Sequence, residues 1–109
     1  MNGIADTGFL VALLEAHDQH HAWAMEVAEE IRWPALTSES VLSETAFHVC
    51  SSELPLEILQ SGMLRLAFDW TSHREHLHDL ARRYAGRRPD LADLCLIRMS
   101  ELYPRHGRR

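Results

Sequence analysis

Residues 3–14 have the sequence GIADTGFLVALL, and this stretch does most to decide the fold. The apolar residues before Asp6 predict a short buried strand over residues 3–6 that ends on an aspartate. Residues 9–14 are apolar on every side, as expected for a short helix packed within a core. The chain therefore begins with a strand that leads directly into a helix.

Two further strands are predicted downstream, over residues 34–37 and 63–68. Helical periodicity fills the segments between and after them. Capping residues predict where these helices begin: Asp18 starts the second helix, Thr37 or Ser38 the third, and Asp90 the last. The fourth helix is expected over residues 55–60. The fifth is expected to begin at the capping pair Ser72 and Glu75 and to end at Gly86. Short strands separated by helix pairs imply an α/β domain with a parallel sheet.

The composition describes one globular domain spanning residues 1–109. Its hydrophobic content of 46% and charged content of 25% exclude wholesale disorder. The longest apolar run, residues 9–14, is too short to cross a membrane and no signal-peptide pattern is seen, so we expect a cytoplasmic protein without a membrane partner. A net charge of −5 argues against coating nucleic acid by bulk electrostatics, but a metal-dependent nuclease site is itself acidic.

The cysteines and histidines show no pattern typical of a zinc site or a disulfide. Cys50 and Cys95 lie in predicted helices without CxxC or CxxH spacing, and we expect two reduced, partly buried thiols. His17 and His21 are four residues apart, but Asp18 is expected to start the helix and no third ligand is obvious. A surface histidine cluster is therefore favoured over a zinc site.

Three carboxylates stand out by their placement: Asp6 at a strand end, Glu44 within the third helix and Asp93 in the first turn of the last helix. Ligands of parallel α/β sheets collect at the carboxyl ends of the strands, where Asp6 and Thr37 lie. Each acid also has a structural alternative: a helix cap for Asp6 and Asp90, a first-turn acid for Asp93 and a helix-edge residue for Glu44.

Four segments together match the order and spacing of a known family. Residues 5–10, ADTGFL, place an aspartate and a threonine after a buried strand, and residues 18–21, DQHH, begin the second helix. Residues 37–44, TSESVLSE, end on a helix-borne acid, and residues 89–94, PDLADL, carry two aspartates. In these features the chain resembles PIN domains, and within them the VapC group, the toxin nucleases of bacterial toxin–antitoxin pairs.

The resemblance implies a PIN-like three-layer α/β/α domain with a short parallel sheet. It implies a Mg²⁺-dependent (or Mn²⁺-dependent) endoribonuclease, with Asp6, Glu44 and Asp93 as catalytic acids and as direct or water-mediated metal ligands, and Asp90 as a further ligand. Such cations prefer oxygen ligands and keep several waters. The implied partners are an RNA substrate, a cognate antitoxin and a second copy of the chain.

Four other residues are candidates for substrate binding. Thr7 or Thr37 is predicted to hydrogen-bond a carboxylate or a substrate phosphate, with helix capping as the alternative. Arg82 and Arg87, from the basic segment 82–88, are predicted to hold RNA phosphates or an acidic partner, with a solvated helix face as the alternative.

PIN domains normally continue into another strand, where a Thr/Ser-x-Asp segment supplies a fourth acid. The sequence given stops at Arg109, so we expect a domain that is incomplete at its C-terminus and lacks its last strand. Loss of a strand leaves a sheet edge to be covered. A non-catalytic PIN-like remnant that binds an antitoxin or dimerises is therefore the alternative function.

A remoter alternative is a dimeric aspartic protease, because residues 6–8, DTG, are also the catalytic tripeptide of that class. That fold is nearly all β, whereas most of this chain has helical periodicity.

Overall fold

A small parallel sheet lies at the centre of the fold. In the computed structural model, which describes residues 2–108, it has the strand order β3-β2-β1-β4. The strands are short: β1 (Asn2–Ile4), β2 (Arg32–Thr37), β3 (Leu64–Leu66) and a two-residue β4 (Gly107–Arg108). All three strand pairs are parallel. The prediction of an α/β domain with a short parallel sheet is confirmed.

Six α-helices and one 3₁₀ turn connect these strands within residues 2–108: α1 (Thr7–Leu14), α2 (His21–Glu30), α3 (Glu39–Val49), α4 (Glu53–Ser61), α5 (Trp70–Arg83), the turn Ala85–Arg87 and α6 (Leu91–Leu102). A pair of helices separates each strand from the next. Over the described residues, none of these helices combines the length and apolar character needed to cross a membrane.

The hydrophobic core lies where the first two strands meet the helices. Ile4 of β1 is opposite Leu36 of β2, and both side chains are fully buried. Phe9 of α1 and Met99 of α6 pack into the same cluster. A second, smaller cluster of Leu77, Leu80 and Leu94 joins α5 to α6.

The first and third helices begin directly after strands because polar side chains cap their first backbone amides. Asp6 accepts a hydrogen bond from Phe9 N at 2.9 Å, and Ser38 accepts one from Val41 N at 3.3 Å. These caps satisfy amide groups that have no partner within the helix. Of the two sequence candidates for the third helix cap, the structure selects Ser38.

Asp18 does not cap the second helix, contrary to prediction. It lies in a preceding turn, where its carboxylate accepts a hydrogen bond from His20 N at 2.8 Å, and the helix begins at His21. An aspartate that bonds the backbone two residues on favours such a turn.

The fifth helix also begins earlier than predicted. Asp69 is its cap and accepts hydrogen bonds from Thr71 N and Ser72 N, so Ser72 lies inside the helix. The helix ends at Arg83, and Gly86, the predicted cap, falls within the 3₁₀ turn instead.

Two further expectations are corrected by the strands. The chain does not lack a fourth strand altogether, because Gly107 and Arg108 pair with Gly3 and Ile4 of β1. The aspartic protease alternative is wrong, because the residues after the DTG tripeptide form a helix in a mainly helical α/β fold.

Candidate active site

Three helices begin at the same edge of the sheet. Helices α1 and α3 start directly after the carboxyl ends of β1 and β2. Helix α6 leads into the parallel strand β4, so it runs back across the sheet and starts at the carboxyl edge. This topology brings Asp6, Ser38 and Asp90, the N-cap residues of the three helices, to one end of the fold.

An open groove of about 880 Å³ lies between α3 and the start of α6. Glu44 and Asp90, two of the predicted metal ligands, both line it. Its other lining residues come from α3, from the start of α5 and from the segment that opens α6: Glu39, Ser40, Ser43, Phe47, Trp70, Pro89, Leu91 and Ala92.

Glu44 has the most informative electrostatic environment in this groove. Partial burial raises the pKa of its carboxyl group above the ordinary value of 4.5, and the negative charges of Asp90 and Asp93 raise it further. His48, whose Nε2 lies 4.0 Å from the Glu44 carboxylate, acts in the opposite direction. Both aspartates are therefore near enough to Glu44 to affect its ionisation.

Asp90 and Asp93 also cap α6 reciprocally. Asp90 Oδ1 accepts a hydrogen bond from Asp93 N at 2.8 Å, and Asp93 Oδ2 accepts one from Asp90 N at 3.3 Å. This is the capping-box arrangement, here with aspartate at both positions. The structural role considered for these two acids is thus real, and it fixes both carboxylates at the start of α6.

Asp6 lies at the beginning of α1, two residues beyond the end of β1. Its carboxylate caps the helix through Phe9 N, and Thr7 follows as the first helical residue. The structure thus places Asp6 at the predicted edge and gives it a structural contact as well.

Thr37, another residue predicted to bind substrate, makes a structural contact inside the fold. The side chain is fully buried, and its hydroxyl group donates a hydrogen bond to the carbonyl oxygen of Ala5 at 3.1 Å. This hydrogen bond joins the last residue of β2 to the residue that follows β1, so the Thr37 hydroxyl group stabilises the edge of the sheet.

The predicted arginines lie beyond the acidic groove. Arg82 is exposed in the last turn of α5. Arg87 lines a neighbouring cavity of about 350 Å³ together with Asp93, and Pro89 belongs to the walls of both this cavity and the groove. Of the two predicted arginines, only Arg87 therefore lines a cavity that adjoins the acidic groove.

Cys95 and Trp70 were not among the predicted site residues. Cys95 is buried beside the groove, and its Sγ lies 3.8 Å from Ser40 Oγ. Burial raises the pKa of its thiol, while polar contacts with Ser40, Trp70 and Ser38 act in the opposite direction. Both cysteines are free, as expected, but Cys50 is exposed.

Within residues 2–108, no three histidine, cysteine or acidic side chains converge closely enough to form a ready-made metal site. Comparisons with models of known protein families and with curated protein sequences gave no match. The PIN resemblance therefore stays a prediction from sequence motifs.

Proposed function

We propose that this chain is a metal-dependent endoribonuclease of the PIN type, which hydrolyses RNA phosphodiester bonds at the carboxyl edge of its sheet. The observation that carries the proposal is that Glu44 and Asp90, two acids distant in sequence, line one open groove at this edge of the sheet. Burial together with Asp90 and Asp93 also raises the pKa of Glu44, and a perturbed acid in a groove is typical of functional sites.

The topology supports the three-layer arrangement that belongs to this proposal. The first two crossovers step from β1 to β2 and on to β3, whereas the third returns to the other side of β1. Parallel crossovers are almost always right-handed, and with this strand order right-handed crossovers would put helices α1–α4 and helices α5–α6 on opposite faces of the sheet.

The donor chemistry of the site fits Mg²⁺ or Mn²⁺. Glu44, Asp90 and Asp93, with Asp6 nearby at the same edge, offer only carboxylate oxygens, the ligands that these cations prefer. Mg²⁺ is bound with several waters and few protein oxygens, so the side chains need not form a closed cage. When bound there, the cation would neutralise phosphate charge and lower the pKa of a water molecule.

The remaining residues of the site would orient the substrate. Arg87, which lines the neighbouring cavity together with Pro89 and Asp93, would bind a phosphate of the strand that enters the groove. Thr7 lies beside Asp6, and its hydroxyl group is the remaining threonine candidate for a phosphate contact. An antitoxin, a homodimer and a cytoplasmic location belong to the same proposal.

RNA cleavage with Mg²⁺ and with EDTA tests the proposed function. We expect the chain to cut RNA only with the metal and Glu44→Gln to lose at least about 100-fold in rate, a size typical of removing a group that acts in the transition state. Glu57→Gln, which changes an exposed acid on α4, is the matched control and should remain active.

A folded chain that leaves RNA intact in Mg²⁺ and in Mn²⁺ would contradict the nuclease. That result would favour the second candidate, a non-catalytic binding module. The observation behind that candidate is the absence of a ready-made metal cluster among the described residues. Indifference of the melting temperature to Mg²⁺ would support it.

A further inference from the structure

An apolar cavity of about 410 Å³, here called the α5–α6 cavity, lies between α5 and the start of α6. Its apolar wall combines two almost fully buried side chains, Leu77 and Leu94, with the exposed side chains of Trp70 and Leu91. Ala81 also lines it, and the single methyl group of this residue leaves space unfilled beside Leu77. The volume falls within the range of roughly 300–1,000 Å³ that is typical of small-molecule sites.

The polar side chains of this cavity are those of Thr71, Arg74 and His78, which are all exposed on α5. Nη1 of Arg74 donates a hydrogen bond to the backbone carbonyl oxygen of Thr71 at 2.9 Å, which holds the guanidinium group beside the cavity. This bond takes one of the five N–H donors of a guanidinium group. None of the lining residues that the structure describes is acidic, so the charge at the mouth of the cavity is positive.

The neighbouring groove has the opposite charge. Trp70 and Leu91 belong to the walls of both spaces, but the charged side chains that line the groove, Glu39, Glu44 and Asp90, are all acidic. An anion is therefore repelled by the groove and attracted to the α5–α6 cavity, whereas a cation prefers the groove. Charge complementarity thus selects a ligand with an apolar body and one negative group for the cavity.

The surface around the cavity favours a small molecule over a protein partner. The exposed apolar side chains at its mouth are Trp70 and Leu91, whereas outer positions of α5 nearby carry the charged residues Glu75, Asp79 and Arg82. A stable protein interface buries on the order of 1,200–2,000 Å² and has an apolar centre. The apolar surface here matches the size of a small ligand.

We propose that the α5–α6 cavity binds a small carboxylate that has an apolar body. The body packs between Leu77 and Leu94 and against Trp70, and the carboxylate accepts hydrogen bonds from Arg74 at the mouth, with His78 as a second donor. Burial of the apolar body supplies most of the affinity, and the charged group supplies the selectivity. The inference is independent of the proposed RNA cleavage, because the ligand contacts none of the acids assigned to that reaction.

Three probes that share one apolar body and differ in the polar end test the proposal: phenylbutyrate, phenylbutanol and phenylbutylamine. Titration of the amide chemical shifts by NMR, in EDTA, gives the Kd of each probe and its location. Arg74→Gln removes the cation at the mouth, and Ala81→Phe fills the cavity. Arg83→Gln, at an exposed arginine in the last turn of the same helix, is the matched control.

We expect phenylbutyrate to bind roughly 2- to 5-fold more tightly than phenylbutanol, as for an exposed ion pair, and to shift amides of α5 and of the start of α6. The amine should bind there most weakly. Arg74→Gln should remove the preference for the carboxylate, and Arg83→Gln should keep it. Ala81→Phe should abolish binding of all three probes at this site.

Three outcomes would overturn the inference: no saturable shifts of α5 and α6 amides with phenylbutyrate, tightest binding of the amine there, or an unchanged preference in Arg74→Gln. Because Arg74 is exposed, that variant keeps the test decisive even if Ala81→Phe fails to fold. Sedimentation with and without phenylbutyrate examines the other occupant. A dimer that the probe dissociates would show that a second copy covers the cavity, which would also overturn the proposal.

Discussion

Glu44 illustrates how a single residue links electrostatics to folding. Because burial and the nearby aspartates raise the pKa of its carboxyl group, the folded chain keeps this proton at pH values where the unfolded chain has released it. From about pH 4.5 up through the raised folded value, the contribution of Glu44 to the free energy of unfolding therefore falls. Above that range, the ionised carboxylate destabilises the metal-free fold.

Glu44→Gln should consequently raise the melting temperature of the chain in EDTA at neutral pH, because it removes a partly buried charge and its repulsion by Asp90 and Asp93. The gain should shrink as the pH falls towards 4.5. Under the proposed function the order should change in Mg²⁺, because cation binding would stabilise the original chain more than the variant. Thermal unfolding across pH, with Glu57→Gln as control, measures both effects; a variant less stable than the original chain in EDTA would contradict them.

At the residue scale, the sequence predicted positions better than contacts. Asp90 and Asp93 were identified from their spacing, and that spacing brings them together whether they cap a helix or bind a metal. Trp70 was not predicted, because its exposure depends on the relative placement of α5 and α6, which no local pattern encodes. The burial of Thr37 likewise follows from pairing between strands that are distant in sequence.

At the scale of elements, the acidic residues at the helix starts combine two functions. A carboxylate at an N-cap satisfies free amides and complements the helix dipole. Asp6 and Asp90 do this for α1 and α6, the helices that begin at the candidate site. Substitutions that keep the cap but remove the charge can separate helix stability from the metal binding proposed for these acids.

Asp90→Ser and Asp90→Ala form such a pair. Serine is also a good N-cap, so Asp90→Ser should leave the free energy of unfolding nearly unchanged, whereas Asp90→Ala should lower it by about 0.5–2 kcal/mol. Both should reduce cleavage and the Mg²⁺-dependent rise in melting temperature to a similar extent. Urea unfolding in EDTA and cleavage in Mg²⁺ give the two readouts; activity that follows stability rather than charge would refute a metal role.

A good N-cap residue predicted the start of some helices but not of others, since Asp18, the only candidate before α2, forms a turn instead. Asp90 had no rival before α6, and the prediction was right. Before α5, Ser72 and Glu75 matched a capping box, but Asp69 lies closer to the strand and bonds both Thr71 N and Ser72 N. The earlier cap lengthens the helix by a turn, and Ser72 becomes part of it.

For the whole molecule, two hydrophobic clusters divide the packing. The larger one holds the sheet and the first helices, and the smaller one, with Leu80 almost fully buried, joins α5 to α6. Since α6 carries Asp90 and Asp93, the position of these acids relative to Glu44 depends on both clusters.

Leu80→Ala should therefore cost about 2–5 kcal/mol, the usual range for a buried leucine. It should also weaken the response of the melting temperature to Mg²⁺, because α6 loses its support from α5. Leu56→Ala, at an exposed leucine on α4, is the control and should change little. Urea unfolding with and without Mg²⁺ measures both; an unchanged free energy of unfolding would show that the smaller cluster is not part of the cooperative core.

The overall architecture followed from the sequence because strand and helix signals alternate along it. The order of the strands did not, since it depends on which side of β1 the last crossover returns to. The two-residue β4 is also too short to produce an apolar repeat, and only its pairing with β1 identifies it.

The reciprocal bonds between Asp90 and Asp93 have a consequence for how a cation would be held. They use Oδ1 of Asp90 and Oδ2 of Asp93, so each carboxylate can offer one oxygen without breaking the cap. A cation held by single carboxylate oxygens and several waters exchanges readily and binds with modest affinity. Under the proposed function, occupancy of the site would follow the free concentration of magnesium, and the rate of RNA breakdown would rise and fall with the supply of that ion.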